Sequence, residues 1–411
     1  MTLTGIIIFL SIISIIFLSL DIYVIKKISK ILSIRNVDKR FIIGLWSLSI
    51  LFFVIWIILT IYRFSVPLSN NLSITLYKIV SIWYLPKILI ILFLLPYDII
   101  RKVYLFFKKL LSKNKTELVK ENKSRRIFIQ NTTLGLGAIP FALAFKGAVF
   151  QVDNIETRKV TIELENLPLE FEELNLVQIS DIHFGSFPDN SLIKELIFNI
   201  KSLKPDVLFI TGDFVNFSPD ELKLGLELFN TIKPTYGIYG CLGNHDHYMT
   251  EENQQKLIKL IKENNIDLLI NENRTINING SKLNIIGIDN DGRRQSFANY
   301  EKAFEGIKSN SLKILLSHDP INWEENVLNN TNAHITLSGH THGGQIAFNI
   351  LGNVLSPAAL VYKYYDGLYS KNGKYLYVNR GIGTSGPPIR LTTRPEITLI
   401  KLKSQENFAK I

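Results

Sequence analysis

The sequence predicts a two-part α/β (α+β) protein, an N-terminal helical transmembrane domain followed by stacked mixed β-sheets flanked by helices. Three observations predict it. The first 150 residues hold four long apolar stretches with few charges. Beyond about residue 155, short apolar runs of strand length alternate with amphipathic stretches of helical length. All seven histidines lie between His183 and His342, which puts the chemistry in the second part.

The first part, residues 1–150, is expected to anchor the chain with about four transmembrane helices, at 5–25, 41–62, 74–97 and 132–150. Gly5 to Ile25 is almost continuously apolar, and no Lys or Arg precedes it, so it lacks the basic start of a cleavable secretory signal. Phe41 to Tyr62 carries Trp46, Trp56 and Tyr62 for the membrane interfaces. Ile74 to Tyr97 is interrupted by Lys78, Pro86 and Lys87. A lysine in mid-span costs about 2.5–3.5 kcal/mol, so Lys87 must snorkel, face other helices or mark a wrong boundary. Residues 98–115 mix apolar and basic residues at helical spacing and are expected to lie on a membrane surface. Thr132 to Phe150 is rich in Gly and Ala. Before it, Ser124-Arg125-Arg126-Ile127-Phe128-Ile129 resembles a twin-arginine export signal, with Ala142-Leu143-Ala144 as a cleavage-like site.

The net charge of +10 belongs to this part. It is concentrated in residues 26–40 and 101–126, whereas residue 151 onward holds 26 basic against 31 acidic residues. The excess therefore lies in short loops between apolar stretches, and no nucleic-acid partner is expected. Basic loops face the cytoplasm. With four spans, this places the N-terminus and everything after Phe150 outside, on the extracytoplasmic face of a bacterial inner membrane.

The second part, residues 155–405, is expected to hold strands at 174–179, 207–210, 237–242, 283–288, 312–316, 333–337, 375–378 and 397–402, and helices at 191–203, 220–232 and 251–263. Cys241, the one cysteine, falls inside an apolar run and is expected to be a small core residue.

Five polar motifs follow the apolar runs: Ser180-Asp181-Ile182-His183, Thr211-Gly212-Asp213, Gly243-Asn244-His245-Asp246, Ser317-His318-Asp319 and Gly339-His340-Thr341-His342. Each falls where a strand should end, and ligands at the loop ends of one sheet converge on one crevice. Imidazole, carboxylate and amide oxygen suit Mn, Fe, Zn or Mg, and the lack of thiolate excludes a cysteine-type zinc site. The ligands are too many for one ion and about enough for two sharing a carboxylate.

These motifs, in this order, resemble the calcineurin-like metallophosphoesterases over about residues 155–400. The segments Gly339-His-Thr-His-Gly-Gly-Gln345 and Asn379-Arg-Gly-Ile-Gly383 with Arg394-Pro-Glu396 resemble the transmembrane or twin-arginine-exported branch of that family. The resemblance implies the sandwich of stacked sheets and a site with two divalent ions, Mn foremost. It implies that Asp181, His183 and His342 hold one metal, that Asn244, His318 and His340 hold the other, and that Asp213 bridges them. His245 would contact phosphate and protonate the leaving oxygen, with Asp246 orienting it.

Other residues carry open alternatives. His247 lines the site or is a surface histidine. His334 begins a buried run and reads as a satisfied core histidine. Arg293 and Arg294 hold a second substrate phosphate or sit in a solvated loop. Arg380, Arg390 and Arg394 edge the substrate or are salt-bridged. Asp319, which follows His318, supports a ligand, and Tyr362, Tyr364 and Tyr365 read as packing. The expected function is a membrane-anchored phosphoesterase that hydrolyses phosphodiester, pyrophosphate or phosphomonoester bonds by attack of a metal-bound hydroxide. Its partners are the bilayer and a phosphate ester, lipid-linked or from the envelope. The alternatives are a step like that of UDP-2,3-diacylglucosamine pyrophosphatase in lipid A synthesis, and a non-catalytic metal-binding membrane sensor or accessory protein.

Overall fold

In the computed structural model, residues 3–34, 37–65, 71–111, 135, 137–293, 295–308, 311–350 and 353–405 are described. The twin-arginine segment 124–129 and Arg294 lie outside these residues. Two units result, residues 1–65 with 75–148, and residues 66–74 with 149–411.

The first unit is helical: α1 (Leu3–Ile34), α2 (Lys39–Ser65), α3 (Asn71–Leu111) and the short apolar α4 (Gly137–Gln151). Two stretches among the described residues are long and apolar enough to cross a membrane, Lys39–Ile61 and Leu72–Lys108. Helices suit that environment because every backbone group is satisfied internally. Side chains such as Ile43, Ile50 and Ile58 on α2 are exposed, as they would be in a bundle solvated by lipid. The boundary expected at residue 97 is not there. α3 runs on through Pro96 into residues 98–111, because a proline in an apolar helix is tolerated where neighbours re-satisfy the freed carbonyl. Of the expected fourth span, residue 135 and Gly137–Gln151 are described and helical; 132–134 and 136 lie outside the described residues.

Lys87 faces the other helices. Its ammonium pairs with Asp21 of α1, lies 3.6 Å from the centre of the Trp83 ring, and is 2 % exposed, as is Asp21. The Tyr84 hydroxyl donates to the same carboxylate at 3.2 Å. Further along the same two helices, Tyr23 and Lys27 each donate to Asp98 at 2.7 Å. Leu20, Trp56, Val80 and Tyr84 form the apolar core of the three helices.

The second unit stacks two six-stranded sheets. One has the order β1 (Glu156–Leu164), β14 (Glu396–Ser404), β2 (Leu176–Ile179), β3 (Val207–Thr211), β4 (Ile238–Cys241), β5 (Ile266–Leu268). The other has the order β12 (Gly367–Lys371), β13 (Lys374–Val378), β9 (Ile335–Ser338), β8 (Leu312–Leu316), β7 (Ser281–Gly287), β6 (Glu272–Ile278). β10 (Phe348–Ile350) and β11 (Asn353–Leu355) form a separate hairpin. β2 to β5 run parallel, as do β7, β8, β9 and β13.

Period-two alternation sorts the strand residues into layers. Val207 and Phe209 of β3 point between the sheets, where Leu176 and Cys241 meet Ile314, Leu316 and Leu337. Leu208 and Ile210 point outward against Ile193, Leu196 and Ile200 of α5 (Ser191–Ser202) and Leu257 and Ile261 of α6 (Glu251–Glu263). Burying an aliphatic side chain contributes about 1.5–3 kcal/mol, so these stripes hold α5 and α6 to the sheet. The other outer face, with Ile286, Leu315 and Val378, is covered by Trp323 and Val327 and by the single turn α7 (Tyr300–Ala303). Gln178 crosses between the sheets: its amide donates to Thr211 Oγ1 at 3.0 Å and to the Ser338 carbonyl at 2.9 Å.

The expected helix at 220–232 is instead two 3-10 turns, Pro219–Leu224 and Leu226–Thr231, meeting at Gly225. Glu221 draws the first turn inward. Its buried carboxylate accepts the amides of Gly185, Asn216, Phe217 and Ser218, which ties the turn to two of the loops described next.

Candidate metal centre

All five motifs sit just past the carboxyl ends of parallel strands: Asp181 and His183 after β2, Asp213 after β3, Asn244 and His245 after β4, His318 after β8, His340 and His342 after β9. Three loops come from one sheet and two from the other. The close approach demands unusual backbone. Asp181, His183, Asp213, His340 and His342 all have φ between 46° and 69°. Such conformations cost of order 1–3 kcal/mol each in a non-glycine residue and persist where the surroundings over-determine them. Two glycines permit the crossing. A Cβ on Gly339 would fall 2.2 Å from Asp181 Oδ2, and one on Gly243 would fall 2.3 Å from Asp213 Oδ1.

The side chains converge in three groups: Asp181, His183 and His342; His183, Asp213 and His245; Asp213, His318 and His340. In each, the donor atoms lie within 4.8 Å of one another. Asp213 Oδ2 stands between two histidines, 3.5 Å from His183 Nε2 and 3.2 Å from His318 Nε2. His342 Nε2 lies 3.5 Å from Asp181 Oδ1. Asn244 Oδ1 is 3.2 Å from His318 Nε2, and His340 Nδ1 is 3.2 Å from the same nitrogen.

The donors are oriented from behind. The Thr211 carbonyl lies 2.7 Å from His318 Nδ1. A carbonyl only accepts, so Nδ1 carries a proton and Nε2 is the nitrogen turned to the cluster. His340 turns Nδ1 inward because its Nε2 meets the Tyr362 hydroxyl at 2.7 Å and Asp319 Oδ2 at 3.5 Å.

The residues fit a pair of divalent cations. His183 is fully buried, and its Nε2, 3.5 Å from Asp213 Oδ2, makes no hydrogen bond, an arrangement that a ligated imidazole explains. Burial lowers His183 to about 3 and His340 to about 4, and holds His342 well below its ordinary value. All three are therefore neutral, as ligation requires. Burial pushes Asp213 upward, but His318 and His245 pull it well below the usual carboxylate range. Burial pulls His318 downward, yet the Asp213 carboxylate lifts it to about 10, the response of an imidazole aimed at concentrated negative charge.

His245 stands at the edge. Its amide donates to Asp213 Oδ1 at 2.8 Å, its Nδ1 lies 2.9 Å from the Asn216 carbonyl, and its Nε2 lies 3.3 Å from Ser385 Oγ. The expected partner Asp246 does other work. It accepts the amides of Phe214, Val215 and Gly243 at 3.0, 3.3 and 2.9 Å, stapling the β3 loop to the β4 loop. The ring of His245 is held by Asn216 instead, because Asp246 points into the protein, where it is fully buried.

Arg390, expected at the substrate edge, is interior. It is fully buried, donates to the carbonyls of Arg380, Gly381 and Gly383, and lies 3.3 Å from His342 Nδ1. Arg380 is salt-bridged to Asp366 and Glu156. Arg293 is exposed at the rim and donates to the Val361 carbonyl at 3.2 Å. His247 brackets a loop through Asp289 at 2.7 Å and Gln254 at 2.6 Å. His334 Nδ1 accepts the Lys313 amide at 3.1 Å, the satisfied histidine expected. Sequence reasoning missed Asn216 and Ser385, and read Tyr362 as packing. Ser385 does lie between the Asn379–Gly383 and Arg394–Glu396 segments that carry the resemblance.

Comparison with known proteins agrees with this geometry. The profile described as "Calcineurin-like phosphoesterase" matches residues 174–344, and "Probable Calcineurin-like phosphoesterase, transmembrane domain" matches residues 5–151. The uncharacterised metallophosphoesterases YkoQ and YkuE of Bacillus subtilis are each 30 % identical, over 272 and 293 residues. These alignments cover 64 % and 68 % of this chain, and 97 % and 98 % of the relatives. A Danio rerio "transmembrane protein with metallophosphoesterase domain" is 30 % identical over 284 residues, 67 % of this chain and 63 % of that protein.

Proposed function

This chain belongs to the calcineurin-like metallophosphoesterase family, and on that premise we propose that it is a membrane-anchored hydrolase of phosphate esters or phosphoanhydrides. Residues 1–150 form the anchor, and residues 155–405 carry the catalytic site outside the cytoplasm of a bacterial cell. The observation that carries the proposal is the position of Asp213, whose one oxygen lies within 3.5 Å of histidines from both sheets.

Asp181, His183 and His342 would hold one divalent ion, and Asn244, His318 and His340 a second, with Asp213 shared. Bound there, two divalent ions such as Mn supply Lewis acidity toward phosphate oxygens and toward water. The protein's own contribution is protonic and positional. Asn216 accepts the Nδ1 proton of His245, which leaves Nε2 as the nitrogen that exchanges protons with substrate. As the imidazolium it gives its Nε2 proton to the leaving oxygen while the P–O bond breaks, and Nδ1 keeps its own proton on the Asn216 carbonyl. Thr211 and Tyr362 fix the rings of His318 and His340, and Arg390 fixes the loop behind His342.

A histidine at the edge of the cluster, with Nδ1 on a carbonyl and Nε2 3.3 Å from the Ser385 hydroxyl, is placed for proton transfer, which a purely metal-binding sensor does not need. Turnover of bis-p-nitrophenyl phosphate by the full chain in detergent with added Mn tests the proposal. Release of p-nitrophenolate that EDTA abolishes supports it. Absence of release with any of Mn, Fe, Zn or Mg defeats it.

A further inference from the structure

We infer that the phosphate ester carries an apolar chain, alkyl or acyl, which seats on the loops ringing the metal-ligand cluster. The inference rests on the phosphoesterase reading and adds the class of substrate. Among the described residues beyond 155, eight large apolar side chains are exposed, and five of them stand on the loops around this site: Phe217 (40 %), Tyr248 (44 %), Phe297 (47 %), Leu360 (89 %) and Val361 (46 %). Single exposed apolar residues are ordinary, but a cluster at a site marks an interaction surface.

Their attachment to the site is direct. The Phe217 and Tyr248 ring centres lie 5.7 and 4.8 Å from that of His245, the proposed proton donor. Phe297 stacks on His247 at 4.3 Å. On the other side, Leu360 and Val361 precede Tyr362, whose hydroxyl touches His340, and the Val361 carbonyl holds Arg293. The polar cluster thus has apolar margins beside both His245 and His340. A group that stays on phosphorus through one oxygen and runs outward would cross one of these margins within a few methylenes. The exposed margin is also continuous with the reacting site, which favours the substrate's own tail over a separate partner as its occupant. A chain whose first 150 residues match a transmembrane domain works beside a source of such amphiphiles.

The test uses the full chain in lipid nanodiscs with Mn and a series of alkyl p-nitrophenyl phosphates from methyl to octyl. Water adds to phosphorus, the P–O bond to p-nitrophenol breaks, and the alkyl phosphate and p-nitrophenolate leave, so the chemistry is constant while the tail grows. The expected result is a rise in kcat/KM of at least tenfold from methyl to octyl, within the limit set by burial of methylenes. In Phe217→Ser/Leu360→Ser and in Tyr248→Ser/Phe297→Ser the octyl-to-methyl ratio should fall toward one. That ratio is insensitive to any loss of active protein. Hydrolysis with no dependence on chain length overturns the inference alone. So does a rise that both variants keep, which would reflect partition into the disc or insertion of the margin into the bilayer. No hydrolysis of any member removes the phosphoesterase reading and the inference with it.

Discussion

At His245 the two ring nitrogens have different neighbours, and this separates proton transfer from cation binding. His245→Ala should keep the metal content of the parent protein and lose about 10²–10⁴-fold in turnover, the usual contribution of a positioned acid. Asp213→Ala should lose both metal and turnover. Metal analysis beside an assay of an alkyl phosphate ester, whose leaving alkoxide needs the proton, checks the pair, and equal metal loss in the two variants would contradict the separate role of His245. Gly339→Ala should abolish metal binding as well, because its methyl would occupy the space of Asp181 Oδ2. A Gly339→Ala protein with full metal content would contradict that close crossing. The histidines and carboxylates of the site were legible in the sequence because their chemistry is written in residue identity and each follows a strand. Asn216 was not, since it acts through its backbone carbonyl. Arg390 was misplaced because burial under a loop is a tertiary fact.

At the scale of elements, α1 and α3 are joined in part by the ion pair of Asp21 and Lys87, buried among apolar side chains. Removing one member of a buried pair typically costs about 3–5 kcal/mol, whereas replacing both by apolar groups is near neutral. Asp21→Ala should therefore lower the thermal stability of the detergent-solubilised protein, and Asp21→Leu/Lys87→Met should recover most of the loss. A double variant as unstable as the single would argue that the charges do more than cancel. Sequence patterning found the strands that feed the site, because runs such as Val207–Thr211 are buried on both faces. It did not foresee β1 pairing in parallel with β14, a partnership of residues some 240 apart. It also read 220–232 as one helix, because the demand that Glu221 serve four loop amides is invisible in periodicity.

For the whole molecule, the proposed topology puts the basic loops inside and the catalytic unit outside the cytoplasm, as the positive-inside rule with four spans would have it. A reporter fused after residue 405 should be active only when it tolerates or requires the extracytoplasmic space. Activity of a strictly cytoplasmic reporter at that position would reverse the topology and move the substrate to the cytoplasm. The division into an apolar helical part and a two-sheet part was legible from composition alone. How two sheets bring five loops to one point was legible only through the order of the motifs, since no single loop carries the site.

The central claim is that two cations share Asp213. Counting bound Mn per chain by titration of the metal-depleted full-length protein, with Asp213→Ala alongside, tests it most directly. Two ions per chain in the parent protein, and loss of ion binding in the variant, are the predicted result. A single ion, or a stoichiometry that Asp213→Ala leaves unchanged, would contradict it.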